Sequence, residues 1–512
     1  MAEFDLIVIG SGFGGTMAAA PAVFAGKRVL MIESGGWVVR GPHNWTAAGL
    51  SEQTPYYSRD NPFDVAAGGY QNTLGTYACV GGASVFYGGV AMRLREVDFE
   101  PDPVIDQDSG AAWPYRYADL EPYYARAESL LEVAGETGVD PTDPMRSAGF
   151  PRSPGPLAPI SHRIADAARS LGLRPFRLPL AINYGHAAGR TRCVACGTCD
   201  GFACAVQAKN DLSVVLMPRL LAAGLELATD TTVVSLEFAN GRIEGVACVR
   251  RGSTDRVVFT GKTVVVAGGA LSTPRLLLAS GLDAANPAGH AIGRYLMRHC
   301  NAVVMGLFPS RPAPNGEFHK QIGIHDYYFG HPTVSEPAGR LGCLQQFATP
   351  LPDIVRANLP FGVGAAIAPF VSRTTGFIVM AEDRPRADNR VAIDRATPAS
   401  RLGPRGTVTH AYDARDLAAR GALVRAARRI LRHTGALVTY AHPIKTFSHA
   451  VGTVRLGTDP RTSPLDARGQ FRGIANLFVT DGSALPRSGG VNPSLTIAAN
   501  ALRTGTIILE QL

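Results

Sequence analysis

A chain of 512 residues with 46% hydrophobic and 18% charged positions, 57 glycines and 36 prolines is globular and loop-rich, long enough for an interleaved two-domain enzyme, and shows no sign of disorder or a coiled coil. Its formal charge of +8 comes from arginines scattered among acids and prolines, with no basic stripe or binding motif, so a basic surface and no nucleic-acid partner are expected. The longest apolar stretches, such as residues 362–371, fall short of the ~20 residues a membrane-crossing helix needs. A strand pattern beginning at Phe4 leaves no room for a leader peptide, so no transmembrane segment and a cytoplasmic location are expected.

Residues 4–10 (FDLIVIG) form a short apolar run suited to a buried parallel strand, and they lead into Gly10-Ser11-Gly12-Phe13-Gly14-Gly15. Residues 16–26 read as a helix despite Pro21, and 27–33 as a second strand ending at Glu33. In such a βαβ unit Gly10 permits the turn, Gly12 lets a pyrophosphate approach and Gly15 allows close helix packing. Glu33 stands where a carboxylate accepts from a ribose diol. The unit points to a dinucleotide without distinguishing FAD from NAD.

A further apolar strand, 263–267, runs into Gly268-Gly269-Ala270 and a helix starting near Ser272-Thr273-Pro274. Residues 477–480, before Asp481-Gly482, look like another return to the same sheet. Nucleotide-binding pieces therefore sit at both ends and in the middle, and substrate-covering parts must be inserted between them.

Residues 79–93 (CVGGASVFYGGVAMR) resemble the glycine-rich flavin loop of the glucose-methanol-choline oxidoreductases, where bare backbone can lie against an isoalloxazine ring. That pattern has asparagine where this chain has Tyr87. Two C-terminal pieces are also similar to the family: residues 448–457 (SHAVGTVRLG), and 481–496, which run from Asp481-Gly482 to Asn492-Pro493-Ser494-Leu495-Thr496. The resemblance implies an α/β fold: a Rossmann-like FAD-binding domain from residues 1–100, 191–300 and 441–512, and an interleaved α+β substrate domain from 101–190 and 301–440, built on an antiparallel sheet. It implies FAD as the cofactor. The contacts it implies are Gly10, Gly12, Phe13, Gly14, Gly15, Glu33, Ser34, Gly82, Ser84, Tyr87, Gly88, Gly89, Val233, Ala267, Asp481, Gly482, Asn492, Pro493 and Thr496.

Alcohol oxidation removes a hydroxyl proton and delivers a hydride to flavin N5, which calls for a base and a hydroxyl-orienting partner. The resemblance gives these roles to His449 and Asn492. Asn492 before Pro493 also reads as an N-cap with proline at N1 of a helix over 494–503, whose positive end would face the pyrimidine side of the flavin. His442, seven residues earlier, is expected to be structural or substrate-lining.

Cys193, Cys196, Cys199 and Cys204 could hold an iron-sulfur cluster or zinc, or be reduced thiols or one disulfide, and no metal ligand is assigned. Trp113-Pro114-Tyr115 with residues 120–124 resembles a segment of sugar and polyol members. His319-Lys320-Gln321, residues 325–328 and Gln345-Gln346 suit a sugar ring or the polar face of a sheet. The apolar run 359–371 could instead line a sterol pocket. The leading function is oxidation of a small-molecule alcohol to a carbonyl, on a sugar, glycoside or related polyol hydroxyl with a hydrophobic alcohol such as a sterol as the other substrate reading, and with oxygen or another acceptor reoxidising the flavin. A lyase or photo-enzyme of the same fold and a nicotinamide-dependent reductase are the alternatives, and the oligomeric state is not readable.

Overall fold

The computed structural model describes residues 3–512 except 68–69, 186–188, 318–319, 338, 359–361 and 396–399. Five short strands make a wholly parallel sheet in the order Leu477–Val479, Gly261–Val266, Phe4–Ile9, Val29–Ile32, Glu226–Ala228. Covered on both faces, the first strand can be continuously apolar, and Leu6, Ile7 and Val8 are fully buried. Each such side chain contributes roughly 1.5–3 kcal/mol, so a charge at Val8 would break the sheet at its centre. The helix Phe13–Phe24 follows directly. A Cβ at Gly15 would lie 1.8 Å from the Gly10 carbonyl oxygen, so only glycine lets this helix press onto its strand. Behind it packs the helix Ser494–Leu509, where a Cβ at Gly505 would meet the Ala18 carbonyl at 2.4 Å.

The second large sheet has six strands, all antiparallel, in the order Val438–Pro443, Cys300–Leu307, Thr374–Ala381, Gly342–Phe347, Ile322–Ile324, Phe176–Arg177. Its strands alternate between two cores. Leu344, Phe377 and Val379 face the helices Pro159–Ser170 and Ala414–His433, while Cys343 and Met380 join the main core on the parallel-sheet side. By the same alternation Gln345 looks toward the main core. A four-stranded sheet joins Tyr57–Ala67 and Tyr70–Tyr77 to Arg390–Ile393 and Gly406–His410.

Several local expectations move. The helix expected near Ser272 starts at Gly269 and carries Pro274 inside it. The C-terminal helix runs from Ser494 to Leu509, well past 503, and Asn492 does not cap it: the N-cap position is Pro493, with no side-chain cap. The carboxamide of Asn492 is used elsewhere. Among the described residues no helix is long and apolar enough to cross a membrane.

Candidate active site

The glycine turn after the first strand meets the glycine loop of residues 79–93. Gly10 has φ +99°, and a Cβ there would strike the Ala267 carbonyl at 2.5 Å. A Cβ at Gly12, in contrast, would meet no protein atom within 4 Å, and one at Gly82 would lie 3.2 Å from the Gly12 Cα. The open space over Gly12, at the N-terminus of a twelve-residue helix, is a cradle that suits a pyrophosphate. Phe13 packs edge-on against Tyr87, ring centres 5.5 Å apart.

Glu33 lies beyond the tip of the second strand, buried. One carboxylate oxygen accepts from the Ser11 N–H and hydroxyl (3.1 and 2.6 Å), the other from the Ser34 hydroxyl and the Gly35 N–H (both 3.1 Å). A ribose diol bound here would displace the rotatable serine hydroxyls rather than the backbone donors. Burial pushes the Glu33 carboxyl upward, against these hydrogen bonds. Val233 lies on the adjoining strand Thr231–Ala239, whose first residue donates to the Glu33 carbonyl at 3.0 Å.

Other expected contacts are engaged by the protein itself. The Ser84 hydroxyl donates to the Gly81 carbonyl at 2.6 Å, and the Tyr87 hydroxyl to that of Asn210 at 3.0 Å. The Thr496 hydroxyl bonds that of Tyr124 at 2.7 Å. Asp481 accepts from the Gly269 N–H (2.7 Å) and the Ser483 N–H (2.8 Å), tying two returning turns together. What these residues can offer a ligand is mainly backbone. Gly88 is glycine because a Cβ would collide with Asp200 and approach the Lys320 amine at 2.8 Å, and Gly89 has φ +78°.

The turn after Leu477–Val479 also fixes His449. The N–H groups of Gly452, Val454 and Leu456 donate to the carbonyls of Gly482, Ser483 and Ala484 at 2.8–3.0 Å. Met297 and Val451 exchange two backbone hydrogen bonds at 2.9 and 3.0 Å. Gly452, φ +97°, makes the close approach possible, since a Cβ would be 2.5 Å from the Tyr295 carbonyl. His449 and Asn492 come together as expected, with the Asn492 Nδ2 3.4 Å from the His449 Nε2. Burial, then the neighbouring His299 and Lys320, hold the His449 imidazole well below its ordinary pKa, outweighing Asp383. A neutral imidazole beside an amide donor can accept a hydroxyl proton while the amide holds the oxygen.

Three neighbours escaped sequence reasoning in these roles. His299 Nδ1 lies 3.0 Å from His449 Nδ1. Gln345 Nε2 donates to Asn492 Oδ1 at 2.6 Å. Lys320 is buried and ion-paired to Asp200 at 2.9 Å. The only available signal was for Lys320 and Gln345, which stand in the polar stretches noted above. His299 follows a segment with no motif.

The rest of those stretches is structural. Gln346 and Gln321 bond the start of the helix Pro159–Ser170 through Ser161 and the Ala158 N–H. His325 bonds Asp140, and Tyr328 donates to Asp98 at 2.6 Å; His319 lies outside the described residues. Trp113, Tyr117 and Tyr124 are buried with Phe99, and Glu121 pairs with Arg93, so this segment is core and not a substrate wall. His442 is exposed on the edge strand. Residues 359–361 are outside the described set, and Val363–Val371 is a helix with Val363, Ile367 and Phe370 about half exposed. Cys193, Cys196, Cys199 and Cys204 form no disulfide, and among the described residues no three His, Cys, Asp or Glu converge as a metal site would require. Lys209 organises that loop, donating to the carbonyls of Tyr87, Cys199 and Phe202 at 2.7–3.0 Å.

A parallel dinucleotide sheet under an antiparallel cover, with a histidine and an asparagine meeting at the seam, defines a flavin-dependent alcohol oxidoreductase. The chain belongs to the GMC oxidoreductases: the family's N-terminal model matches residues 5–301 and its C-terminal model residues 385–501. FAD is its cofactor and alcohol oxidation its activity. It is 30% identical to 6'''-hydroxyparomomycin C oxidase of Streptomyces lividus and to paromamine 6'-oxidase of Streptomyces fradiae, in each case over 99% of this chain and 92% of the relative. Pyridoxine 4-oxidase from Mesorbium loti shares the fold, with a TM-score of 0.68 at 20% identity over 99% of both chains.

Proposed function

We propose that His449 is the proton acceptor for the substrate hydroxyl, that Asn492 orients the hydroxyl oxygen, and that the substrate is a sugar-like alcohol. The 3.4 Å meeting of His449 Nε2 and Asn492 Nδ2 carries this reading. An alcohol oxygen set beside both, within hydrogen-bond reach of each, would give its proton to the imidazole and keep a hydrogen bond from the amide. The bound flavin supplies the hydride acceptor for the carbinol carbon. The Gly88 backbone against Lys320 and Asp200 and the Gln345 amide give the site polar walls, which suit a polyhydroxylated ring better than a sterol. The names of the two 30% identical relatives point the same way.

An anaerobic panel of paromamine, glucose, a small diol and cholesterol, read at the flavin absorbance band, tests the substrate class. Bleaching by the sugar-like members is expected, and bleaching by cholesterol alone would reverse it. His449→Ala should keep the yellow cofactor and slow flavin reduction by at least ~10²-fold. Near-normal reduction would remove the base assignment.

A further inference from the structure

We infer that His299 is a positioning residue: it holds His449 in the tautomer whose Nε2 is bare and able to accept a proton. This rests on reading His449 as the base. His299 is buried, and its Nε2 faces two backbone carbonyls, those of Ser488 at 3.2 Å and Gly489 at 2.9 Å. Carbonyl oxygens only accept, so Nε2 must carry the hydrogen, and in a neutral ring Nδ1 is then a lone pair. The partner of that lone pair, 3.0 Å away, is His449 Nδ1, which must therefore be the N–H. The His449 Nε2 is left bare. Asn492 then turns its Nδ2 to that lone pair and its Oδ1 to the Gln345 N–H.

The opposite direction fails for neutral rings. An N–H at His449 Nε2 would bare its Nδ1, require an N–H at His299 Nδ1, and leave a lone pair at His299 Nε2 against two carbonyl oxygens. Two backbone carbonyls thus orient two imidazoles in series, ending at His449 Nε2, the atom that takes the substrate proton. One proton on either ring removes the bare Nε2.

His299 is fixed from several sides. Its N–H donates to Asp383 Oδ1 at 3.1 Å, its carbonyl accepts from the Tyr412 hydroxyl at 2.7 Å, and its φ is +59°. Asp383 also receives the Arg298 N–H and the Ser488 hydroxyl, both at 2.8 Å, and has His410 at 3.8 Å. Arg298 turns its guanidinium to the Lys445 and Thr446 carbonyls. Lys320, ion-paired to Asp200, also acts on the His449 ring. Burial, His299 and Lys320 disfavour a proton on His449, and Asp383 favours one.

Nitrogen NMR of the 15N-histidine-labelled holoenzyme at pH 8, with His449→Asn and His299→Asn assigning the two rings, tests this. His449 should show a protonated Nδ1 and bare Nε2, and His299 the reverse. In His299→Phe the His449 tautomer should change, and flavin reduction by the best panel alcohol should slow by about 10²-fold or more at unchanged flavin content. His299→Asn, whose Oδ1 can accept from His449 Nδ1, should recover most of that rate. A protonated Nε2 on His449 in the unaltered enzyme overturns the inference, as does an unchanged His449 tautomer in His299→Phe. If His299→Phe does not fold, the spectrum of the unaltered enzyme decides alone. Normal reduction by His449→Ala beside the expected tautomers would remove the base assignment and leave the tautomer inference standing.

Discussion

Gln345 donates from Nε2 to the Oδ1 of Asn492 at 2.6 Å, across the seam between the antiparallel and parallel sheets. That bond decides which end of the Asn492 amide faces His449. With Oδ1 engaged, only Nδ2 is left for the imidazole and for a substrate oxygen.

Changing Gln345 should therefore act through orientation. In Gln345→Leu the Asn492 amide loses its anchor, and we expect flavin reduction to slow by roughly 10- to 100-fold with little change in flavin content. Gln345→Glu should be worse, because a carboxylate draws Nδ2 toward itself and turns Oδ1 to His449, favouring the unproductive N–H there. Stopped-flow reduction of the two variants checks the order, and a Glu variant as fast as the Leu variant would contradict it.

The pH profile follows from the site's charges. A histidine pKa depressed well below 6.5 by burial, His299 and Lys320 keeps His449, the proposed base, neutral into mildly acidic solution. The acid limb of the reduction rate should thus fall below pH 6.5. Removing a neighbouring cation makes protonation easier, so Lys320→Met should move that limb upward by about one pH unit, while Lys320→Arg should not. A limb unmoved in Lys320→Met would mean that this amine does not act on the base.

Two glycines of one motif should fail differently. Gly15→Ala puts a methyl 1.8 Å from the Gly10 carbonyl, a clash of helix against strand that should abolish soluble protein. Gly12→Ala meets no protein atom within 4 Å, so the chain should fold and lose flavin instead, by about tenfold or more in affinity. Expression yield and flavin content of the two purified variants separate the cases; full flavin in Gly12→Ala would mean that nothing binds closely over this turn.

Much of this was legible in the sequence because it is local. The strand-glycine-helix opening, the Glu33 terminus and the two C-terminal motifs are written in contiguous residues; their order implied covering parts inserted between them, and the antiparallel sheet of that cover came from the family resemblance. Gln345 and His299 act through contacts made by tertiary folding: one depends on the alternation of a strand inside a six-stranded sheet, the other on a two-residue backbone bridge between Met297 and Val451. Asn492 misled as a cap because an asparagine before proline carries the same local signature whether its amide bonds the helix or, as here, Gln345 and His449.

Asp416 carries a stability prediction. In the first turn of the helix Ala414–His433 it is buried, its Oδ1 has no hydrogen-bond partner among the described residues, and Arg415 approaches only to 3.7 Å. Burial, then the charges of Asp383 and Asp413, push its carboxyl up to about 7. The folded chain therefore holds this proton more tightly than the unfolded chain, so ionising it costs stability. That cost is absent below about pH 4, grows between about 4 and 7, and is complete above. Asp416→Asn keeps the shape without the charge, so it should stabilise the holoenzyme by on the order of 2 kcal/mol at pH 8 and by almost nothing at pH 4. Thermal unfolding at the two pH values checks it, with a rise of roughly 2–5 °C expected only at the higher one. An equal change at both would place the effect in packing and remove the charge from the explanation.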